Sequence, residues 1–499
     1  MKEVLDFLLK VHKLKETTRT GWIIWRIKNP ETIAEHIFRV CFLAFLLGAK
    51  KGLRLKTCIQ DALSHDLCEV YAGDATPLFY YQNLDVRKKK DRAILMRGIR
   101  LLEKDKKKRL GIKFSREKKS LFKLLAPLEK KLKYEILLRW LDYEKGFSKE
   151  GKFVKQLDWI ENLIQSLEYL GPKGSGSGWW EIAEEKVDDP LLIDFLAVIQ
   201  KKFYGGKSTH QKNPELEAIL DFVLQIGKLK RMPRLYWILR GVKNPETVAG
   251  HTFTLAIAAW ILGSKKKELD MGKLLKMAFC HELSAVYTGD TTPYDKILPE
   301  DKEEREKVLK KMIRLSKKEK KWVFLKDRQE EKRAFQKLTR NLKPSLKKEI
   351  IQLWNGYRER STPEGYFLAQ LNVLVVLLQG LLSEKENKKF SASPLWEWAF
   401  EVCDDPITIQ LMGEMKKKFY RRPLLTRATA KGEDKRSSST TRATAKGEDK
   451  RSSSTTRAIA KGGDEGKLRR RQTSSTRQAS AKPKDEGKLR RRQTSSTKS

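Results

Sequence analysis

Cysteine is scarce in this chain of 499 residues: there are five, Cys41, Cys58, Cys68, Cys280 and Cys403, an odd number with no C-x-x-C spacing. That excludes a disulfide framework or a zinc ribbon and favours a reducing compartment, so a cytoplasmic location is expected. Strand-like alternation with hairpin turns is missing, which leaves an all-α reading. No apolar run reaches the roughly 20 residues of a membrane span. The most apolar, YFLAQLNVLVVLLQGLL at 366–382, contains Asn and Gln, so no membrane partner is expected. The start, MKEVLDFLLKVHKLK, reads as an amphipathic helix with charges throughout, unlike a signal peptide. Histidine numbers six, and no aromatic residue follows Tyr420.

What the chain does have is a repeat. NPETIAEH at 29–36 returns as NPETVAGH at 244–251, HDLCEVYAGD at 65–74 as HELSAVYTGD at 281–290, and FVKQLD at 153–158 as FLAQLN at 367–372. The offsets of 215, 216 and 214 residues mark one duplicated unit. Two helical units are therefore expected, at 1–205 and 215–420, followed by a tail at 421–499. In the NPET motif, Asn29 is a good N-cap and Pro30 suits the first helical position. A second helix carries Ile59, Leu63, Leu67 and Val70 and ends near Gly73. Further helices are expected near 90–106, 115–124, 129–144 and 150–170, with a loop at GPKGSGSG, 171–178.

Lys155, Glu161, Asn162 and Glu168 of copy one become Ala369, Val375, Val376 and Leu382 in copy two. A polar helix face that turns apolar is normally newly covered. The expectation is an interface along 366–382, against copy one, with Val375, Val376 and Leu382 shielded from solvent. The net charge of +42 is spread over both parts of the chain: the tail holds 24 Lys and Arg against 8 Asp and Glu, and the rest lies on the repeats, in runs such as KDKKKR at 104–109. Such runs are solvated helix faces or steer polyanions and phosphorylated substrates. The tail repeats RATAKGEDKRSSSTT and DEGKLRRRQTSST; it is expected to be disordered, with weak polyanion contact or phosphorylation as its possible uses.

Four of the six histidines, His36, His65, His251 and His281, occupy matching places in the two copies. Asp66 adjoins His65, and Asp158 recurs at the distant third motif as Asn372. Imidazole and carboxylate together suit Mn, Fe, Co, Ni or Zn and leave positions open for water and substrate. On one continuous helix, Glu69 would project beside His65 and Asp66, placing an acid or base next to a metal.

The H…HD…D arrangement resembles the HD-domain metal-dependent phosphohydrolase superfamily. RTGWIIWRIKNPETIAEH, HDLCEVYAGDATP and KFVKQLD are similar to its 5'-deoxynucleotidase-like branch. The resemblance covers about 1–200 and, more weakly, 215–420. It implies one divalent ion per active site (Mn, Co, Fe, Ni, Zn or Mg) held by His36, His65, Asp66 and Asp158, with Glu69 and Asp66 in the chemistry. It also implies Arg19 on the substrate phosphate, Trp22 in the same segment and Asp74 near the nucleoside end. Left open by the residues are a surface role for Arg19, a packing role for Trp22 and a simple helix-ending turn at Asp74.

Copy two departs from this pattern, with Glu282 for Asp66, Ala285 for Glu69 and Asn372 for Asp158. It is expected to be a non-catalytic partner in a built-in pseudo-dimer. The leading functional reading is hydrolysis of nucleoside 5'-monophosphates by copy one. The alternatives are a phosphodiesterase acting on another nucleotide and a non-catalytic nucleotide- or RNA-binding pseudo-enzyme.

Overall fold

The helix carrying the first histidine starts at Ile33, later than the NPET motif suggests. In the computed structural model, Thr32 caps it in a capping box with Glu35, while Asn29 takes a left-handed conformation at φ 54°. The T-x-x-E pair satisfies two backbone donors at once, which a lone Asn-Pro start cannot do. Residues 17–19 and 31–33 then run antiparallel through the Thr18–Thr32 bridge, with Arg19 N donating to Glu31 O at 3.0 Å. This short pairing fixes Arg19 at the mouth of the helix pair. Copy two repeats it through Pro233–Thr247, with Thr247 as the cap.

The structure describes residues 1–74, 84–85, 87–96, 102–174, 176–205, 213–292, 298–309 and 316–420. The expectations for the tail at 421–499 lie outside them. Among the described residues every regular element is helical, apart from the two isolated bridges. Copy one comprises α1 (Lys2–Val11), α2 (Thr20–Ile24), α3 (Ile33–Lys51), α4 (Leu55–Ser64), α5 (Glu69–Ala72), α6 (Lys89–Met96), α7 (Glu103–Leu125), α8 (Lys130–Lys145), α9 (Lys149–Gly174), α10 (Gly176–Lys186) and α11 (Pro190–Tyr204). Copy two comprises α12 (Pro214–Gly227), α13 (Leu235–Leu239), α14 (Val248–Gly263), α15 (Met271–Cys280), α16 (Ala285–Thr288), α17 (Lys302–Leu309), α18 (Lys317–Leu338), α19 (Pro344–Glu359), α20 (Pro363–Glu386), α21 (Ser393–Val402) and α22 (Pro406–Tyr420). Short 3-10 turns, His12–Lys15 and Lys228–Arg231, precede α2 and α13.

Two expectations about continuity change. The helix through Ile59 and Val70 is broken at residues 65–68, between α4 and α5, because tight bonds such as Leu67 N to Ser64 O and Glu69 N to Asp66 O replace the α-helical ladder. The GPKGSGSG stretch is mostly helical: the break is confined to Gly171, at φ 68° and followed by Pro172, with residue 175 outside the described set.

The pseudo-dimer is built on the histidine helices. α3 lies between α4 and α9 of its own copy and α14 of the other, and α15 packs on α4. Every residue from Ile33 to Gly48 is buried, as is every residue of α14. A helix covered on all sides is apolar all round, so His36, Glu35 and Arg39 stand out as buried polar groups. Phe38 and Phe42 meet Phe279 across the contact, the latter pair edge-on at 5.5 Å between centroids. Both copies share one continuous core.

The interface expected along 366–382 needs correcting. Val375 and Val376 are buried, but Leu382 is half-buried, and α20 packs chiefly on α14, α15, α19, α21 and α22 of its own copy. Among the described residues α20 is the one helix long and apolar enough to cross a membrane, and most of it is covered by protein.

Candidate metal centre

His36, His65 and Asp66 form one group of ligand-type side chains in copy one, and Asp158 lies against His36. The Nε2 atoms of His36, on α3, and His65, at the end of α4, lie 3.3 Å apart. Asp66 Oδ2 is 3.2 Å from His65 Nε2 and 3.9 Å from His36 Nε2, and Asp158 Oδ1, from α9, is 3.0 Å from His36 Nε2. The outer nitrogens are already engaged. His36 Nδ1 donates to Glu161 Oε2 at 2.5 Å, and His65 Nδ1 donates to the Ala62 carbonyl at 2.6 Å. With Nδ1 engaged in both rings, each Nε2 points inward, the arrangement a cation with imidazole and carboxylate ligands requires. The donor set therefore fits a divalent transition ion.

Charged neighbours shift the titratable groups of the cluster. Burial and Arg19 push the His36 imidazole down, but Glu161 and Asp158 outweigh them and hold it up to about 9. Burial pushes Asp66 up, yet His65, Arg19 and His36 keep it well below the usual carboxylate range. Glu69 is the opposite case. Burial, then Asp66 and Asp74, push its carboxyl well above the ordinary value. Its Oε2 has no hydrogen-bond partner among the described residues. A buried polar atom without a partner costs stability, and a role in chemistry is one reason for keeping it.

Arg19 lies beside this cluster, Nη1 donating to Asp66 Oδ2 at 3.3 Å and Nη2 to Asn162 Oδ1 at 2.8 Å. Asp74 accepts from the Thr20 amide at 2.6 Å, tying the α5 end to the Arg19 segment. Trp22 lies in the same segment. Its ring is 1% exposed, stacked on Trp179 and edge-on to Tyr169, both at 5.2 Å, and its Nε1 donates to Glu31 Oε1 at 2.9 Å. Buried and stacked in this way, the ring fits the packing role that the sequence left open for it. Trp22→Ala should destabilise the protein by about 3–5 kcal/mol, as large aromatic truncations in cores do; a denaturant midpoint unchanged from wild type would contradict this placement.

Sequence reasoning missed an outer layer. Tyr143 donates its hydroxyl to Asp158 Oδ2 at 2.7 Å, and Asn162 Nδ2 donates to Asp158 Oδ1 at 3.0 Å while its carbonyl holds Arg19. Glu161 braces His36. Lys113 and Glu117, 2.9 Å apart on α7, complete the charged surroundings of Asp66. Glu161 and Asn162 sit three and four residues after Asp158, one helical turn on, and that spacing was the available signal. Their replacement by Val375 and Val376 removes bracing from a site; it does not mark a new interface.

Copy two brings His251, His281 and Glu282 together differently. Asn372 Nδ2 donates to the Tyr357 hydroxyl at 2.9 Å, so its Oδ1 faces His251 Nε2 at 2.7 Å. His251 Nε2 thus faces a neutral amide where His36 Nε2 faces the carboxylate of Asp158, so copy two offers a cation one anionic oxygen fewer. Glu282 is clamped by Arg234, and burial pushes His281 down to about 4.

A profile of the HD domain matches residues 11–180 and again 226–395. The 5'-deoxynucleotidase HDDC2 of Xenopus laevis is 33% identical over 173 residues, 35% of this chain and 73% of that protein. That of Danio rerio is 31% identical over 205 residues, 40% of this chain and 88% of its own. The 5'-deoxynucleotidase hdd1 of Schizosaccharomyces pombe is 29% identical over 215 residues, with shares of 42% and 95%. Among solved structures, a conserved hypothetical protein from Pyrococcus furiosus is 23% identical, with a TM-score of 0.29, covering 40% of this chain and 99% of that one. Two HD domains in tandem, with relatives of this identity and coverage, place the protein in the HD-domain family of metal-dependent phosphohydrolases, in its 5'-deoxynucleotidase-like branch.

Proposed function

We propose that copy one hydrolyses nucleoside 5'-monophosphates to nucleoside and inorganic phosphate, with a divalent cation held by His36, His65, Asp66 and Asp158. The observation that carries this reading is the pair of inward Nε2 atoms 3.3 Å apart, flanked by Asp66 and Asp158. The names of the relatives support a nucleotide substrate. A bound cation would lower the pKa of a water from 15.7 toward about 7 and offset charge on the phosphoryl oxygens.

The protein groups have separate tasks in this reading. Arg19, held by Asp66 and Asn162, presents its guanidinium to the phosphoryl oxygens, where charge grows in the transition state. Glu69 accepts or relays a proton at Oε2 as water oxygen bonds to phosphorus and the bond to the 5' oxygen breaks; the leaving oxygen ends protonated. An elevated carboxyl suits a group that must both hold a proton and give it up. Asp74 fixes the segment that carries Arg19.

The test is phosphate release across ribo- and deoxyribonucleoside monophosphates, each with Mn, Co, Fe, Ni, Zn or Mg. Release from phosphodiesters alone would replace this substrate class with another. Copy two is proposed to be non-catalytic, because the neutral Asn372 stands in place of Asp158 and Ala285 in place of Glu69. Glu282→Gln is accordingly expected to leave turnover unchanged, whereas Asp66→Asn removes it. Parallel losses in the two variants would assign chemistry to both copies.

A further inference from the structure

We infer that copy two completes the metal centre of copy one through Lys230, a positioning residue whose ammonium holds Glu161 against His36. The inference rests on the reading of His36, His65, Asp66 and Asp158 as a metal site. Lys230 belongs to the Lys228–Arg231 turn of copy two, yet its contacts are in copy one. The side chain is buried; Nζ donates to Glu161 Oε1 at 2.7 Å and to Gln165 Oε1 at 2.6 Å, and forms an ion pair with Glu31. Glu161 is fully buried and accepts from His36 Nδ1 through its other oxygen. An unbroken path of short contacts thus runs from a copy-two ammonium to a copy-one imidazole.

The physical consequence lies in how Glu161 is held: its Oε1 accepts from Lys230 Nζ and Arg39 Nε, which leaves Oε2 turned to His36 Nδ1. Held in this way, Glu161 takes the Nδ1 hydrogen, fixes the ring orientation and turns Nε2 toward a cation. Arg39 Nε also reaches Glu161 Oε1, at 2.8 Å, but Arg39 is shared with Glu168 and Gln165. Without Lys230, Glu31, Glu161 and Gln165 would face one another with one cation fewer.

The reciprocal contact gives an internal control. Lys15, one repeat offset before Lys230, crosses the other way to Glu246 Oε2 at 2.5 Å and Gln379 Oε1 at 2.8 Å. There Val375 stands in place of Glu161, so no carboxylate on that helix links the ammonium to His251. His251 Nδ1 is 3.5 Å from Glu246 Oε1 and without a hydrogen-bond partner among the described residues. The exchange of lysines is symmetric in packing and one-sided in chemistry.

The experiment is a Co(II) titration of the full chain followed by visible absorption, on wild type, His36→Ala, Lys230→Met, Lys230→Arg and Lys15→Met. The band lost in His36→Ala reports the copy-one site. Lys230→Met is expected to weaken that site by roughly 10- to 100-fold, the usual cost of removing a group that orients a ligand. Lys230→Arg restores part of the affinity, and Lys15→Met leaves it unchanged. Wild-type affinity in Lys230→Met, with the band still lost in His36→Ala, overturns the role of Lys230 and leaves the metal reading standing. Equal losses in Lys230→Met and Lys15→Met overturn it too, as a general effect of the interface. Absence of any His36-dependent band overturns the metal reading and this inference with it. If far-ultraviolet circular dichroism shows Lys230→Met unfolded, Glu161→Gln takes its place: the same weakening supports the path, and unchanged affinity overturns it.

Discussion

Asp66→Ala is expected to abolish metal binding in copy one and phosphate release together. Asp66 Oδ2 approaches both inward imidazole nitrogens and also receives Arg19. Alanine removes the anionic oxygen that two histidines and an arginine share, leaving Asp158 as the remaining carboxylate facing an inward imidazole nitrogen among the described residues. Groups that merely orient ligands typically account for roughly 10- to 100-fold in affinity; loss of a direct carboxylate exceeds that. Binding shows as thermal stabilisation, since a ligand at 100 times its Kd adds about 2.7 kcal/mol to folding. Wild type should therefore melt higher with added Mn(II) or Co(II), and Asp66→Ala should not respond through copy one. Glu282→Ala, tested alongside, should keep the response. A variant that still gains the full stabilisation would remove Asp66 from the ligand set.

The sequence made some of this legible, for reasons visible in individual residues. His36, His65, Asp66 and Asp158 stand in three motifs that recur at nearly constant offset, and the structure groups the first three, with Asp158 beside His36. The helical class followed from apolar periodicity, and α3 and α14 are buried accordingly. What stayed hidden depends on contacts between distant segments. HKLK at 12–15 and KLKR at 228–231 look like ordinary basic stretches; nothing local indicates that Lys15 and Lys230 cross to the other copy and are buried there. The change from Glu161 and Asn162 to Val375 and Val376 was visible but admitted two explanations, and only the position of His36 Nδ1 separates them. Likewise Trp22 has the motif position of a substrate contact, while the stacking of Trp179, more than 150 residues later, closes its face.

These contacts also bear on why copy two persists without Glu69 or Asp158 equivalents. α14 covers α3, so removing it would expose the helix that carries His36 along most of one side. Copy two thus gives copy one a packing surface and a buried lysine whatever stands at Glu282, Ala285 and Asn372.

Glu69→Gln separates chemistry from binding. The amide keeps the shape of the side chain but can neither accept nor release a proton as a carboxyl does, so kcat is expected to fall by roughly 10²- to 10⁴-fold, the range for a general acid–base group. Co(II) affinity should stay close to wild type, because the inward nitrogens, Asp66 and Asp158 are untouched. The same variant has a signature in stability. A carboxyl raised on folding contributes stability that is full below its unfolded pKa and lost as pH rises through the folded value. Glu69 is raised by burial, Asp66 and Asp74, so in metal-free wild type it opposes folding increasingly above the ordinary carboxylate range. Glutamine does not ionise, so metal-free Glu69→Gln should melt higher than wild type, by a margin that widens from acid to neutral pH. A variant that loses metal affinity in step with kcat would make Glu69 a ligand instead of a proton carrier. One with unchanged kcat would take it out of the reaction altogether.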